Sequence, residues 1–282
     1  MKDLKEQFEK FDLLPLSHSR INSYIEHKAD FVAKYIYGNQ MPSTPSMTRG
    51  NAVEMGLNHY LTGESEDRII WKQEAVDFAI NYFMDLKPFF TETVDEIEKE
   101  LKVIKPMTEL LIDKFDNGGL RTGSNFKRHF TGYQNQISTQ ILGLDLIGFT
   151  DFTFEFEDEI IVIDVKTSSQ FKLNYGHVLQ QAIYKKAIQE KSNKNVRIRL
   201  LMTTKSKCDF IDADFDDPKH LRYIEAHLKS LGALLSKCDS IEEISEIIKP
   251  DLAHWSWNKA SKEKIAIRQN IWGFRSFLCF RG

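Results

Sequence analysis

Two aspartates and a lysine sit where strand-forming residues would gather them: Gly148-Phe-Thr-Asp151, then Ile163-Asp164-Val165-Lys166. Leu144 to Phe156 and Ile160 to Val165 are rich in β-branched and aromatic residues, and Glu157-Asp158-Glu159 between them reads as a turn. A hairpin about that turn brings Asp151 and Asp164 together from neighbouring strands. Side chains alternate along a strand, so Asp164 and Lys166 share one face while Val165 points away. Carboxylates crowded after strongly apolar residues are costly unless compensated. A hard divalent cation with oxygen ligands, such as Mg²⁺, relieves their repulsion. A cation so held polarises a phosphoryl oxygen and acidifies an attacking water. Lys166 could orient that water or stabilise charge growing on phosphorus. Taken alone, Asp-x-Lys equally describes an exposed hairpin with a surface ion pair.

Two further segments bear on that choice. Gln180-Gln181-Ala-Ile-Tyr184 follows the hairpin in a helical pattern, and Gln180 and Tyr184 at i, i+4 lie on one face. Earlier, Thr48-Arg49-Gly50-Asn51-Ala52-Val53-Glu54 places an acid on a helix with an apolar side. By themselves these are also an amphipathic boundary and a solvated carboxylate.

The elements that must position these residues follow from periodicity. Apolar residues from Ser17 to about Tyr37 recur at helical spacing, with Ser17 or Ser19 as the cap. Met41-Pro-Ser-Thr-Pro-Ser reads as a loop, and 48–61 as a helix ended near Thr62-Gly63. Helices are expected over about 72–90 and 92–115, interrupted by Pro88. The run His129 to Leu142 alternates as a strand and precedes the hairpin. Gly176 to Gln189 is helical, Val196 to Thr203 and Cys208 to Phe215 form a strand pair, and Pro218 to Lys237 is helical. Helices, three strands, a helix, two strands and a helix make an α/β protein with a helical N-terminal elaboration. With no convincing linker, the expectation is one domain over 1–282. Its parts are a mainly helical 1–125 carrying Glu54, an α/β core at 126–237, and a segment at 238–282 packed on that core.

Composition narrows the rest. The 282 residues are 41% hydrophobic and 28% charged, typical of a globular chain. No stretch approaches the roughly 20 apolar residues of a membrane helix, and the charged N-terminus lacks a signal-peptide core. Cytoplasm, or host cytoplasm if the chain is viral, is the expected location. The net charge of −3 argues against a nonspecific polycation, so any phosphate contacts must come from local basic residues. Cys208, Cys238 and Cys279 have neither disulfide nor metal-knuckle spacing and read as reduced thiols. The histidines show no ligand spacing, and Trp255 and Trp257 are expected to pack the tail rather than stack bases.

Taken in order, these segments resemble the RecB-like, phage-type exonuclease branch of the PD-(D/E)XK nuclease superfamily. That branch shows Ser-x-Ser-Arg (here Ser17-His18-Ser19-Arg20) and a glycine-led helix with a His or Glu (Gly50 to Glu54). Gly-x-x-Asp, acid-x-Lys and Gln-x-x-x-Tyr follow, so the resemblance covers about residues 17–184. It implies a restriction-endonuclease-like core, a mixed central sheet flanked by helices. It assigns metal binding to Glu54, Asp151, Asp164 and the Val165 carbonyl, and makes Lys166 the catalytic lysine. Gln180 and Tyr184 would line the site. Arg20, with the Ser17 and Ser19 hydroxyls, and Arg49 precede site helices and could grip DNA phosphate or simply be solvated, and Tyr175 could contact the strand or fill a loop. The implied activity is Mg²⁺-dependent DNA exonuclease, with Mn²⁺ as a substitute ion and a single-strand annealing or recombination protein as a candidate partner. A structure-specific or flap endonuclease, or a non-catalytic nucleic-acid-binding module, would use the same fold. Some relatives join their ends with a four-cysteine iron–sulfur cluster. Here His27-Lys28 stands at the N-terminal position and the tail has only Cys279, so no cluster is expected. Glu54 in place of His looks similar to phage-type exonucleases.

Overall fold

The computed structural model describes residues 3–39, 43–65, 70–90, 92–117, 126–211, 215–252, 257 and 262–273. Trp255 and Cys279 lie outside them. In chain order, the first elements are α1 (Leu4–Glu9), β1 (Leu16–Ser17), α2 (His18–Glu26) and α3 (Lys28–Phe31), the last continued by a π-helical turn at Val32–Ile36. Next come α4 (Pro45–Ser65), α5 (Lys72–Leu86) and α6 (Val94–Asp116). The strands β2 (Phe130–Ile141), β3 (Leu144–Glu155) and β4 (Glu159–Thr167) precede α7 (Tyr175–Gln189). β5 (Asn195–Thr203), β6 (Cys208–Ile211), α8 (Pro218–Leu235), α9 (Ile241–Ile247) and α10 (Lys262–Trp272) complete the series.

The strands form one mixed sheet in the order β1-β3-β4-β5-β6, with β2 also paired to β3. β3 and β4 are antiparallel, β4 and β5 parallel, β5 and β6 antiparallel, and β1 runs parallel to β3. The architecture is therefore the expected α/β one, a mixed sheet with flanking helices. Leu142 and Gly143, at φ 55° and 77°, make the two-residue turn between β2 and β3. Two successive left-handed residues match the twist of the flanking strands.

The chain divides into two compact units, each discontinuous in sequence. Pro42–Ile137 and Phe149–Asp216 form the unit that carries the acids. Its core joins α4, α5 and α6 to one sheet face. Ala75, Ala79 and Phe83 repeat every fourth residue on α5, and Ile104, Met107, Leu111 and Phe115 make the apolar stripe of α6. They meet Phe152 and Phe154 of β3 and Ile161, Ile163 and Val165 of β4. α6 starts in a capping box, with the Thr93 hydroxyl accepting from the Glu96 amide while the Glu96 carboxylate accepts from the Thr93 amide. At Gly56 an added Cβ would lie 2.9 Å from the Ala75 carbonyl oxygen and from Ala79 Cβ, so α4 and α5 cross nearly backbone to backbone.

Met1–Met41, Ser138–Gly148 and Asp217–Gly282 form the other unit. β1 pairs Leu16 with Leu146 there, Lys5 Nζ lies 3.3 Å from Asp145, and Phe8, Leu13 and Leu16 are buried. Trp257 is buried and meets Trp272 edge-on at 5.6 Å, which fits a packing role.

Some boundaries differ from expectation. The helix expected over 17–37 breaks at His27, whose φ of −145° and ψ of 72° leave the helical region. α4 begins at Pro45, inside the expected loop, because proline suits a helix's first turn, and it runs past Thr62-Gly63 to Ser65. No helix of the described residues is long and apolar enough to cross a membrane.

Candidate active site

β3 and β4 pair Phe152 with Ile163, and that register continued by one residue sets Asp151 beside Asp164. Facing residues share a side of the sheet, so both carboxylates leave on the face opposite Phe152 and Ile163. Asp151 is 7% exposed and Asp164 0%. Asp151 is oriented by its neighbours: the Val165 amide donates to Oδ2 at 2.8 Å and the Gln134 side-chain amide to Oδ1 at 3.2 Å. Gln134 itself sits at a φ of 55°, off the regular strand. Asp164 is held differently. Lys166 Nζ lies 2.7 Å from its Oδ2, yet neither carboxylate oxygen accepts a well-angled hydrogen bond from the described residues.

Glu54 reaches the pair from α4. One turn earlier, a Cβ at Gly50 would lie 2.9 Å from Thr167 Oγ1, so a larger residue there would require the Thr167 side chain or α4 to shift. The Tyr133 hydroxyl donates to Glu54 Oε2 at 3.4 Å. Burial, then the charge of Asp151, raises the Glu54 carboxyl well above its ordinary range. Burial, then the charge of Asp164, pushes Asp151 up to about 7. Burial pulls hardest on Lys166 in the downward direction, but Asp164, Asp151 and Glu54 together outweigh it and hold the ammonium above its usual value. Without a bound cation, Lys166 is the main counter-charge of this cluster.

α7 supplies the next layer. Asn174 caps it by accepting from the His177 amide at 2.8 Å, and the Gln180 side-chain amide donates to the Tyr184 hydroxyl at 2.9 Å. Burial raises the Tyr184 phenol, and Asp164 and Asp151 add to the shift, so this pair faces the acids. His177 Nδ1 is buried without a hydrogen-bond partner among the described residues. Burial, then Lys166, lowers its imidazole. Tyr175, at the start of α7, is 43% exposed.

The remaining expected residues are held as follows. Ser17 caps α2 by accepting from the Arg20 amide at 3.3 Å, and its hydroxyl is 3.0 Å from that of Ser19. The Arg20 guanidinium donates to the Leu13 and Pro15 carbonyls and lies 5.1 Å from the Tyr35 ring centroid. All three serve the start of α2, in the unit formed by the chain ends. Arg49 is buried beside Glu100, with which it forms an ion pair. Sequence reading passed over Tyr133 and Gln134. Their polar ends on a strand otherwise read as alternating were the signal, and their reach toward the acids depends on backbone geometry.

Among the described residues no three of His, Cys, Asp and Glu converge as a ready-made metal cage. The donor set nonetheless suits a hard cation. Two buried carboxylates stand side by side, Asp164 accepts no well-angled hydrogen bond from the described residues beyond its Lys166 ion pair, and Glu54 is within Coulombic reach.

A pH dependence follows. An unfolded aspartate titrates near about 3.9, whereas folded Asp151 holds its proton up to about 7. Between those values the folded state binds the extra proton, so apo stability falls as pH rises, by up to about 1.4 kcal/mol per pH unit. Glu54 acts in the same direction, whereas the lowered His177 opposes them below about 6.5. Urea midpoints in EDTA should therefore be higher at pH 5 than at pH 8, and Asp151→Asn should flatten the difference. A wild-type midpoint that is higher at pH 8, with the variant unchanged, would contradict this electrostatic reading.

Comparison with known proteins bears on the fold and the family. Among curated protein sequences none matches. A crystal structure of an exonuclease candidate from Eubacterium rectale superposes with a TM-score of 0.53 and 12% identity, over 91% of this chain and 90% of its own. A second structure, SSO0001, reaches a TM-score of 0.30 at 13% identity over 76% of this chain and 82% of its own, too low to bear on the fold. The family model of the PD-(D/E)XK nuclease superfamily matches residues 15–255, a span that includes Glu54, both aspartates and Lys166. The chain belongs to the PD-(D/E)XK nuclease superfamily.

Proposed function

We propose that this protein is a Mg²⁺-dependent DNA exonuclease whose reaction centre is Asp151, Asp164 and Lys166, with Glu54 beside them. The observation that carries this reading is Asp164: a fully buried carboxylate next to a second buried acid, whose ion-pair partner among the described residues is Lys166, 2.7 Å away on its own strand face. An ionised group in that setting is costly unless a counter-charge is supplied, and one lysine does not balance three acids.

Asp151, Asp164, Glu54 and the Val165 carbonyl would hold the cation. When bound, such an ion supplies Lewis acidity toward a phosphoryl oxygen and makes water more acidic. The protein's own part is orientation and charge. The Val165 and Gln134 amides fix the Asp151 carboxylate, and Lys166 presents a protonated amine where negative charge grows on phosphorus. Without a bound cation the surrounding acids keep Lys166 protonated. Gln180 and Tyr184 form a hydrogen-bonded wall facing the acids, suited to positioning the strand.

Two observations support the exonuclease reading. Glu54 stands where phage-type exonucleases look similar, and the Eubacterium rectale neighbour is itself described as an exonuclease candidate. The deciding experiment incubates the protein with linear duplex, covalently closed circular duplex and single-stranded DNA, in Mg²⁺ and in EDTA. Release of nucleotides from linear DNA, dependent on Mg²⁺ and with circles intact, is expected. Nicking of closed circles as fast as linear DNA is degraded would replace exonuclease by endonuclease. No cleavage of any substrate would remove the catalytic reading.

A further inference from the structure

A cavity of about 570 Å³ opens beyond the end of β4, within the unit that carries the acids. Arg49, Lys99, Glu100, Ser168, Ser169 and Lys205 are among the residues lining it. Three cations against one carboxylate leave a surplus of two positive charges in a chain whose net charge is −3. A concave site with that local excess concentrates anions despite the acidic whole.

The groups differ in how they are held. Arg49 is 9% exposed and paired with Glu100, which fixes its guanidinium, while its Nε is buried without a hydrogen-bond partner among the described residues. Lys205 is exposed and forms no hydrogen bond or ion pair among the described residues. Its neighbour Lys207 instead lies 4.0 Å from the Phe171 ring centroid. Lys99 is exposed on α6. The cavity thus has a paired guanidinium in its wall, the Lys205 ammonium, the Lys99 ammonium (which also interacts with Glu96) and serine hydroxyls as further donors, a donor-rich set suited to phosphate oxygens.

Its position ties it to the acids. Thr167, Ser168 and Ser169 directly follow Lys166, and the first two or three residues beyond the lysine reach about 3–10 Å along the chain. Gly50, next to Arg49, packs against Thr167. Phosphates of one DNA strand recur about every 3.4 Å of duplex axis, so a strand crossing Lys166 has a phosphate within reach of this cavity.

We propose that the Arg49–Lys99–Lys205 cavity is a phosphate subsite that holds the nucleic-acid backbone one or a few nucleotides from the bond being cut. The inference rests on the nuclease reading above. It names a set of contacts that reading does not require, and Lys99, Ser168, Ser169 and Lys205 carry no part of the reaction centre. The phosphate held is either a terminal monoester or an internal diester, and both offer the same oxygens.

The test measures binding, not turnover. Wild type, Lys205→Ala and the double variant Lys99→Ala/Lys205→Ala are titrated in EDTA with a fluorescein-labelled DNA single strand across a salt series. Both lysines are exposed, so the variants should fold as wild type does, which circular dichroism would verify. Each lysine removed should weaken binding about three- to tenfold, and flatten the slope of log K against log salt by about 0.7. A loss seen only with 5′-phosphorylated ends identifies a terminal monoester, and an equal loss with hydroxyl ends an internal diester. Either supports the subsite. Unchanged affinity and slope in the double variant would overturn it, even if wild type cuts DNA and the nuclease reading stands. Weakened binding by the variants, with no cleavage by wild type in Mg²⁺, would keep the subsite and reject the nuclease reading. No DNA binding by wild type would overturn the subsite.

Discussion

Asp164→Ala should lower DNA cleavage by about a thousandfold or more, a loss of at least about 4 kcal/mol of transition-state stabilisation. The fold should survive. Removing one member of a buried ion pair ordinarily costs about 3–5 kcal/mol, because the partner charge is stranded. Here the partner, Lys166, keeps Asp151 and Glu54 as counter-charges, and the variant also removes the repulsion between Asp151 and Asp164. The second effect opposes the first, so the melting temperature in EDTA should be equal to or above that of wild type. Addition of Mg²⁺ should then raise the melting temperature of wild type and leave the variant unmoved, since only a ligand bound to the folded state stabilises it. That readout does not depend on turnover. A variant that cuts at the wild-type rate in saturating Mg²⁺ would remove Asp164 from the reaction centre.

The strand pair that sets this geometry was legible because its residues obey a short-range rule. Phe152, Phe154, Ile161, Ile163 and Val165 are β-branched or aromatic, and their alternation with Asp151 and Asp164 leaves one register that buries all of them together. β4 begins at Glu159, so the turn is the two residues Glu157-Asp158, and that count sets Asp151 beside Asp164; a three-residue turn at 157–159 would have set it beside Val165. The helix carrying Glu54 was equally plain, since Ala52, Val53 and Leu57 mark its buried side. Gln180 and Tyr184 needed only the helical repeat to share a face.

What could not be read depends on backbone states and long-range approach. Gln134 touches Asp151 because its φ is 55°, a value that no local pattern in Gly-Tyr-Gln-Asn announces. β1 is two residues long, and its pairing with Leu146 and Ile147 is fixed by tertiary packing rather than by its own composition. The Arg20 guanidinium donates to the Leu13 and Pro15 carbonyls, and only the fold could reveal that these acceptors lie so near. Lys99 and Lys205 are more than a hundred residues apart and stand in no motif, yet they line one cavity.

Lys166→Met should separate charge stabilisation from metal binding. Methionine keeps the length of the side chain while removing its charge, so packing near Thr167 and Val165 is little changed. Turnover should fall about a hundred- to a thousandfold, the range for losing a group aimed at developing transition-state charge. Affinity for Mg²⁺ should not fall, because an ammonium is no ligand. It should rise, since Lys166 Nζ stands 2.7 Å from Asp164 Oδ2 and competes with any cation for that carboxylate. Burial and like charges set the cost in the other direction. With the ammonium gone, Asp151 and Glu54 lose the group that lowers their proton affinity, so the apo variant should take up protons at higher pH than wild type. Mg²⁺ titrations by calorimetry at pH 8, where the acids are more readily ionised, keep the two effects apart. Equal or tighter binding with collapsed turnover is the expected pair of results. Binding lost as completely as in Asp164→Ala would mean that Lys166 organises the acids, and that its charge is not reserved for the phosphoryl group.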